Sequence, residues 1–372
     1  MITIKEATSK KDLKAFVQFP FKIYKDSKYW VPPIIKQELE TFNKDKNPIF
    51  KDADARFFLA YKNKEIVGRV AAIINWLEVD KQGIKKMRFG WFDFIDDLEV
   101  SKALLATVEN IGREHNLSYS EGPVGFSNLD KVGVMTEGFD HIATMITWYN
   151  HPYYVDHYKA LGYKIEKEYS ESSFPFSNVK PEFFKKAQEL IKRRYKIRAL
   201  KLTTTEEVMP YADRMFDLFN ESYSALSSFV EITEIQKEYF KKKFISFINP
   251  EYIQFVVNDN DDLIGFAIVM PRFAEALQKA KGKLFPLGFT HILKAKKHSK
   301  DVIFYLIGIH PDYQNKGIHA VIFNEYYETF TEKGIQTCYR TPELEDNLAI
   351  KQIWKHFDPK VYARRKTFVK DL

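Results

Sequence analysis

A chain of 372 residues, 45% hydrophobic and 29% charged, has the composition of a soluble globular protein and the length of two domains. A single cysteine, Cys338, rules out an intrachain disulfide and a cysteine-rich metal site, and no apolar stretch is long enough to span a bilayer, so no membrane partner is expected. The formal net charge of +7 suits an anionic ligand, and the stretch MITIKEATSKKDLKAF lacks the apolar segment of a signal peptide, so a cytoplasmic location is expected.

Alternation of Ile2 and Ile4 with polar residues predicts a strand over residues 1–7, and Thr8 or Ser9 can cap a helix over 11–24. Pro32 and Pro33 precede a short helix over 34–42. Residues 56–61 and 66–77 read as a hairpin whose turn contains Asn63, a residue that tolerates the left-handed conformation. A strand over 86–95 leads to a helix over 98–115, with Leu104, Leu105, Val108 and Ile111 on one face, and then to a strand over 119–126. Residues 133–139 and 142–148 form a side excursion or an added ribbon. A helix over 152–161 closes at Gly162 and a strand follows over 163–169. Pro, Ser and Asn accumulate over 174–178, which divides the chain into domains 1–178 and 179–372.

The second half repeats this order. A basic amphipathic connector helix over 181–195, with Pro181 in its first turn, leads to a strand over 197–202 and a helix from Thr204 or Thr205 to Tyr223. A helix over 233–248 and a hairpin of 252–258 with 263–270 follow, then a helical stretch over 273–282. Residues 283–300 are aromatic and basic without clear periodicity. Their densest cluster, Lys294 to Lys300, reads as a solvated loop or an anionic-substrate contact; a nucleic-acid contact is disfavoured because no recognition motif accompanies it. A strand over 302–309 is stopped by Pro311 and empties through Gln314-Asn315-Lys316-Gly317 into a helix over 318–330. Such a junction offers unpaired N–H groups and the positive end of a helix dipole, the best anion site in the chain. A strand over 336–341, a helix over 347–357 and a strand over 361–369 complete an α/β pattern with mixed sheets, repeated in architecture with little repetition of residues.

This order resembles two tandem copies of the GCN5-related N-acetyltransferase (GNAT) fold. Gln314 and Gly317 match the family's acyl-CoA pyrophosphate loop, Asn315 stands where Gly is common, and His319 occupies the last Gly or Ala position, where its ring crowds the ligand, points away or donates to a phosphate. The resemblance implies acetyl-CoA or another acyl-CoA as co-substrate, held by Gly308, Ile309, Gln314, Asn315, Lys316, Gly317, Ile318 and His319. Asn347, followed by Ala349, matches the Asn of the family's next turn. Acyl transfer to a small-molecule amine or a peptide is the implied reaction, and a catalytically weak acyl-CoA or metabolite-binding protein is its rival.

The family's tyrosine acid aligns with Trp354, whose indole N–H has no accessible acid chemistry, leaving Tyr362 and Tyr339 as substitutes. His310 and Glu343, at the ends of neighbouring predicted strands, are candidate bases, or else a turn residue and a capping carboxylate. In the first half Tyr158 to Tyr163 resembles the family's closing run, but Asp93, Asp96 and Asp97 occupy the region of the phosphate turn, without a glycine, and repel pyrophosphate. The second half alone is therefore expected to bind cofactor, with the first a degenerate partner or part of the acceptor site. Cys338 reads as a small buried hydrophobe, His141, His151 and His157 form no metal pattern, and Trp148, Tyr149, Tyr153 and Tyr154 line a cleft or pack a domain edge.

Overall fold

A computed structural model of the chain describes residues 1–226, 229–245 and 247–372, without the side chains of Phe183, Phe244 and Ala349. The first half runs β1 (Ile2–Glu6), α1 (Lys10–Ile23), α2 (Ile35–Thr41), β2 (Ala53–Lys62), β3 (Glu65–Asn75), β4 (Lys86–Phe94), α3 (Leu98–Glu114), β5 (Tyr119–Gly122), β6 (Val134–Glu137), α4 (Tyr154–Ala160) and β7 (Lys164–Pro175). The second runs α5 (Pro181–Tyr195), β8 (Ile197–Leu200), α6 (Thr205–Tyr223), α7 (Glu234–Phe240), β9 (Ile253–Asn258), β10 (Leu263–Pro271), α8 (Ala274–Ala280), α9 (Gly288–His298), β11 (Asp301–Ile309), α10 (Ile318–Lys333), β12 (Thr337–Arg340), β13 (Glu343–Leu344), α11 (Leu348–Trp354) and β14 (Lys360–Asp371).

Local chemistry accounts for many of these boundaries. Ser9 with Asp12 and Thr204 with Glu207 close capping boxes at α1 and α6, each satisfying amide groups that the helix start leaves unpaired. Asn63 and Lys64 take positive φ angles of 51° and 69° in the β2–β3 turn. Three expectations need correction. Residues 142–148 form turns and no strand, residues 283–300 contain the helix α9, and the helix expected over 233–248 changes at Lys241 to a wider, π-helical turn. Within that last stretch Ser246 lies outside the described residues, as does the side chain of the family-like Ala349.

Two compact units emerge, one of residues 1–170, 273–292 and 362–372 and the other of 171–272 and 293–361. The cut read from sequence at 178/179 therefore misplaces parts of two strands and the α8 insertion. In the first unit the sheet order is β1-β2-β3-β4-β5-β14, antiparallel except for the parallel β4–β5 pair. Its two faces bury separate clusters: Phe58, Phe89, Leu104, Val108, Tyr158 and Phe368 on the α3 side, and Phe16, Phe42, Phe57, Trp91 and Phe126 on the other. Phe368 of the last strand pairs with Gly122 and stacks on Tyr158 with ring centroids 4.5 Å apart. The end of the chain thus completes the core of the unit at its beginning.

The second unit takes in exchange the end of β7, where Pro175, Phe174 and Ser173 pair with Thr337, Cys338 and Tyr339 of β12. From there the order is β12-β11-β10-β9-β8, with β11 parallel to β12 and the remaining pairs antiparallel. On the sheet lies α10, with the Tyr326 hydroxyl shared between the carbonyls of Ala267 and Tyr252, both at 2.9 Å. Beside it Phe304 meets Trp354 and Phe323 meets Phe357 edge to face, both with centroids 5.0 Å apart, and Phe174 stacks on Phe357 at 4.9 Å. The abundant aromatics build cores here.

Candidate functional site

Strand β11 is where the second unit opens. Its pairing with β12 ends at Phe304 and Arg340, yet the strand continues to Ile309 along β10, and a bulge at Tyr305 shifts the β10 register between Ile268 and Val269. The amide of His310 donates to Ile264 on the β10 side. Alternation then turns the backbone groups of Ile309 and Ile307 toward the side β12 has left. Two contacts fit this polarity: the Tyr223 hydroxyl donates to the Ile307 carbonyl at 3.0 Å and the Gln314 amide to the Ile309 carbonyl at 3.2 Å. The N–H groups of Ile307 and Ile309 share that open edge. Gly308, expected beside Ile309 as a donor, faces Phe266 of β10 instead, so that expectation is corrected. Its lack of a side chain has another cause, since a Cβ would lie 2.3 Å from the Phe266 ring and 2.8 Å from the Ser222 hydroxyl.

Beyond Ile309, a short 3-10 turn over Pro311–Tyr313 leads to Gln314, and the chain reverses through left-handed Asn315 (φ 59°) and Gly317 (φ 80°) into α10. Ile318 and His319 are the first residues of that helix, where amide groups have no acceptor within the helix. Lys316 is exposed, with its ammonium over the rings of Tyr195 and Tyr313. Gly317 also has a packing role, because a Cβ there would meet Ile191 of α5 at 2.7 Å. His319 packs toward Phe323, and burial, aided by His356, pushes its imidazole down to about 4. It is therefore a neutral donor at pH 7 and brings no positive charge to a phosphate.

The two candidate bases are held by neighbours. His310 accepts the Asp312 amide on Nδ1 at 3.2 Å and places Nε2 3.4 Å from a Glu221 carboxylate oxygen. This network assigns the proton to Nε2, so the ring has no idle lone pair. Glu221 and Tyr223, both from the end of α6, were missed from sequence because nothing in a helical repeat marks the turn that will meet a strand edge. Glu343 pairs in a fork with the Arg340 guanidinium, and burial lowers that guanidinium to about 9. Both carboxylate oxygens are engaged by that fork.

Arg340 also lies 4.8 Å from the Trp354 ring, and Trp354 is buried against Phe304 and Phe323. The residue aligned with the family's acid is therefore a core residue in place as well as in chemistry. Asn347 caps α11 by accepting the Ile350 amide at 3.2 Å. Tyr362 belongs to the first unit, where its ring lies 5.6 Å from His141, so it is not grouped with the turn. Tyr339 lies under the Arg272 guanidinium, and Cys338 is buried in β12 with its thiol pushed up by desolvation.

In the first unit the corresponding strand-to-helix junction is filled by its own carboxylates. Asp97 caps α3 through the Glu99 amide and pairs with Lys62 at 2.7 Å, and Asp96 lies 3.0 Å from His157. Tyr158 is fully buried and its hydroxyl has no partner among the described residues. Trp148 packs on Trp91, Tyr149 on Tyr24 and Tyr154 on Phe94, with Tyr154 buried in the core of the first unit.

No protein-family model matches the chain. It is 25% identical over 375 residues to Protein YghO of Escherichia coli K12, covering 98% of this chain and 94% of that protein. It is 24% identical over 287 residues to a bacterial ceramide synthase of Caulobacter vibrioides, covering 76% and 73%. Among solved structures, a tandem GNAT protein from the clavulanic acid biosynthesis pathway superposes with a TM-score of 0.59 at 10% identity, over 100% of this chain and 98% of that one. A GCN5-related N-acetyltransferase from Sphaerobacter thermophilus gives 0.52 at 9% identity, over 100% and 95%. With the splayed β11–β12 pair, the turn into α10 and the repeated element order, these likenesses identify the fold: two GNAT-type folds in tandem.

Proposed function

We propose that the second unit binds an acyl-CoA and transfers its acyl group to an amine. The observation that carries this reading is the continuity of donors from the open edge at Ile307 and Ile309, through the Gln314–Gly317 turn, to the first amides of α10. The turn and the exposed Lys316 suit a pyrophosphate, and the edge amides suit a carbonyl oxygen that gains charge during acyl transfer. An acyl-CoA supplies an activated thioester. The chain must orient that thioester and take a proton from the acceptor, and the Glu221 carboxylate, positioned by His310 at the strand end, is the group proposed to take it. The acceptor proposed is a long-chain amine, since the ceramide synthase to which the chain is similar is named for a product that is the amide of such a base.

A second reading, binding without efficient turnover, is favoured by Trp354 and by the Arg340–Glu343 pair, which occupy positions where a free acid and base were sought.

Titration calorimetry of the full chain with acetyl-CoA and a long-chain acyl-CoA separates these readings. The expected result is binding that Lys316→Glu weakens, together with turnover on a long-chain amine that Glu221→Gln slows by about 10²-fold or more. Absence of both heat and thermal stabilisation refutes acyl-CoA binding; heat without turnover on any amine of a panel establishes the second reading.

A further inference from the structure

Residues 276–300 contain seven lysines and neither Asp nor Glu, a local charge equal to the formal net charge of the whole chain. The same stretch leaves large apolar side chains in solvent: Phe285 is 77% exposed, Leu287 67%, Leu293 57% and Phe289 38%. Single exposed apolar side chains are ordinary on a protein surface; four within nine residues form a patch.

Helical geometry orders this patch. Gly288 and Ile292 of α9 are buried, whereas Phe289 and Leu293, one turn apart, point outward with Lys296 and Lys297 on the same side. The Phe285 ring extends the ridge, with its centroid 5.6 Å from that of Phe289. The exposed Lys283 and Lys294 flank it.

We propose that residues 283–300 dock the protein onto a bilayer surface rich in anionic lipid. Phenylalanine and leucine tips enter the boundary between headgroups and acyl chains, and the lysines meet lipid phosphates; this pairing is what an interfacial amphipathic segment requires. A nucleic acid would engage the lysines and leave the apolar ridge in water. Among the described residues no helix is long and apolar enough to cross a membrane, so the contact is with the surface. The proposal goes beyond acyl transfer and stands or falls independently of it.

Vesicle co-sedimentation of the full chain tests it, using phosphatidylcholine vesicles with and without phosphatidylglycerol. Wild type is expected on the phosphatidylglycerol vesicles, with binding that weakens as salt rises. Phe285→Ser/Phe289→Ser/Leu293→Ser and Lys294→Glu/Lys296→Glu/Lys297→Glu should each reduce partitioning on the order of a hundredfold. Phe285, Leu293, Lys294 and Lys297 are exposed and Phe289 and Lys296 partly so, and circular dichroism is expected to show both variants folded. The proposal is overturned if wild type stays in the supernatant, if folded variants bind as wild type does, or if the lysines capture duplex DNA or an RNA hairpin while vesicles are ignored.

Discussion

His319→Ala gives a direct test of how the second unit handles the side chain at its anion turn. In the folded protein burial, and then the neighbouring His356, hold the imidazole down to about 4, against an ordinary 6.5. Above pH 6.5 both folded and unfolded chains carry it neutral, and it contributes no pH dependence. As pH falls through 6.5 toward 4 the unfolded chain takes a proton that the folded one refuses, so stability is lost at about 1.4 kcal/mol per pH unit. Integrated to about pH 5, the loss is about 2 kcal/mol. The alanine variant lacks this term; any cavity it leaves lowers stability similarly at both pH values and cancels. Urea unfolding of both proteins at about pH 7.5 and about pH 5, followed by circular dichroism, should therefore give wild type a fall that exceeds the variant's by about 2 kcal/mol. Equal falls would refute the burial argument. Since the ring is neutral at pH 7, the variant removes no positive charge from the anion turn.

Two further outcomes follow from packing. Glu343→Gln removes one member of the fork with Arg340, whose partners are both mostly buried, and should cost about 3 kcal/mol by urea unfolding, with a shift in Trp354 emission because the guanidinium lies over that ring; an unchanged midpoint would show the pair to be idle. Phe368→Ala should cost about 3–5 kcal/mol, and hydrogen exchange should rise in β4, β5 and α3 of the first unit; faster exchange confined to residues 171–272 would contradict the strand exchange.

Most elements were legible because their signals are local. Capping pairs such as Thr204 with Glu207, left-handed Asn63 and the continuous apolar run of β10 each act within a few residues. The Gln314–Gly317 turn was legible for the same reason. What escaped depends on contacts between distant segments. Nothing in residues 361–369 distinguishes a strand that closes its own half from one that pairs with β5, because both need only alternating burial. Glu221 and Tyr223 reach the site only because α6 ends beside β11. Helix α9 escaped for a different reason: its outward face is as apolar as its inward one, which erases the periodicity on which a helix is recognised.

The departures at the site differ in what they cost the proposed chemistry. Acyl transfer from a thioester depends first on donors to the carbonyl oxygen, and a single lost donor slows such reactions by about 10²–10³-fold. Those donors are main-chain groups of Ile307 and Ile309, which mutation of side chains spares as long as β11 stays splayed from β12. A proton acceptor comes next, and the Glu221–His310 pair offers one with a half-exposed carboxylate. The acid matters least, because a thiol with a pKa of about 8.5 leaves as thiolate far more readily than an alcohol does. Losing the family's tyrosine to a core tryptophan is thus the departure this reaction tolerates best. Closure of the open edge would not be tolerated: a chain with every motif residue intact and β12 paired to Ile309 would have no donors left to offer.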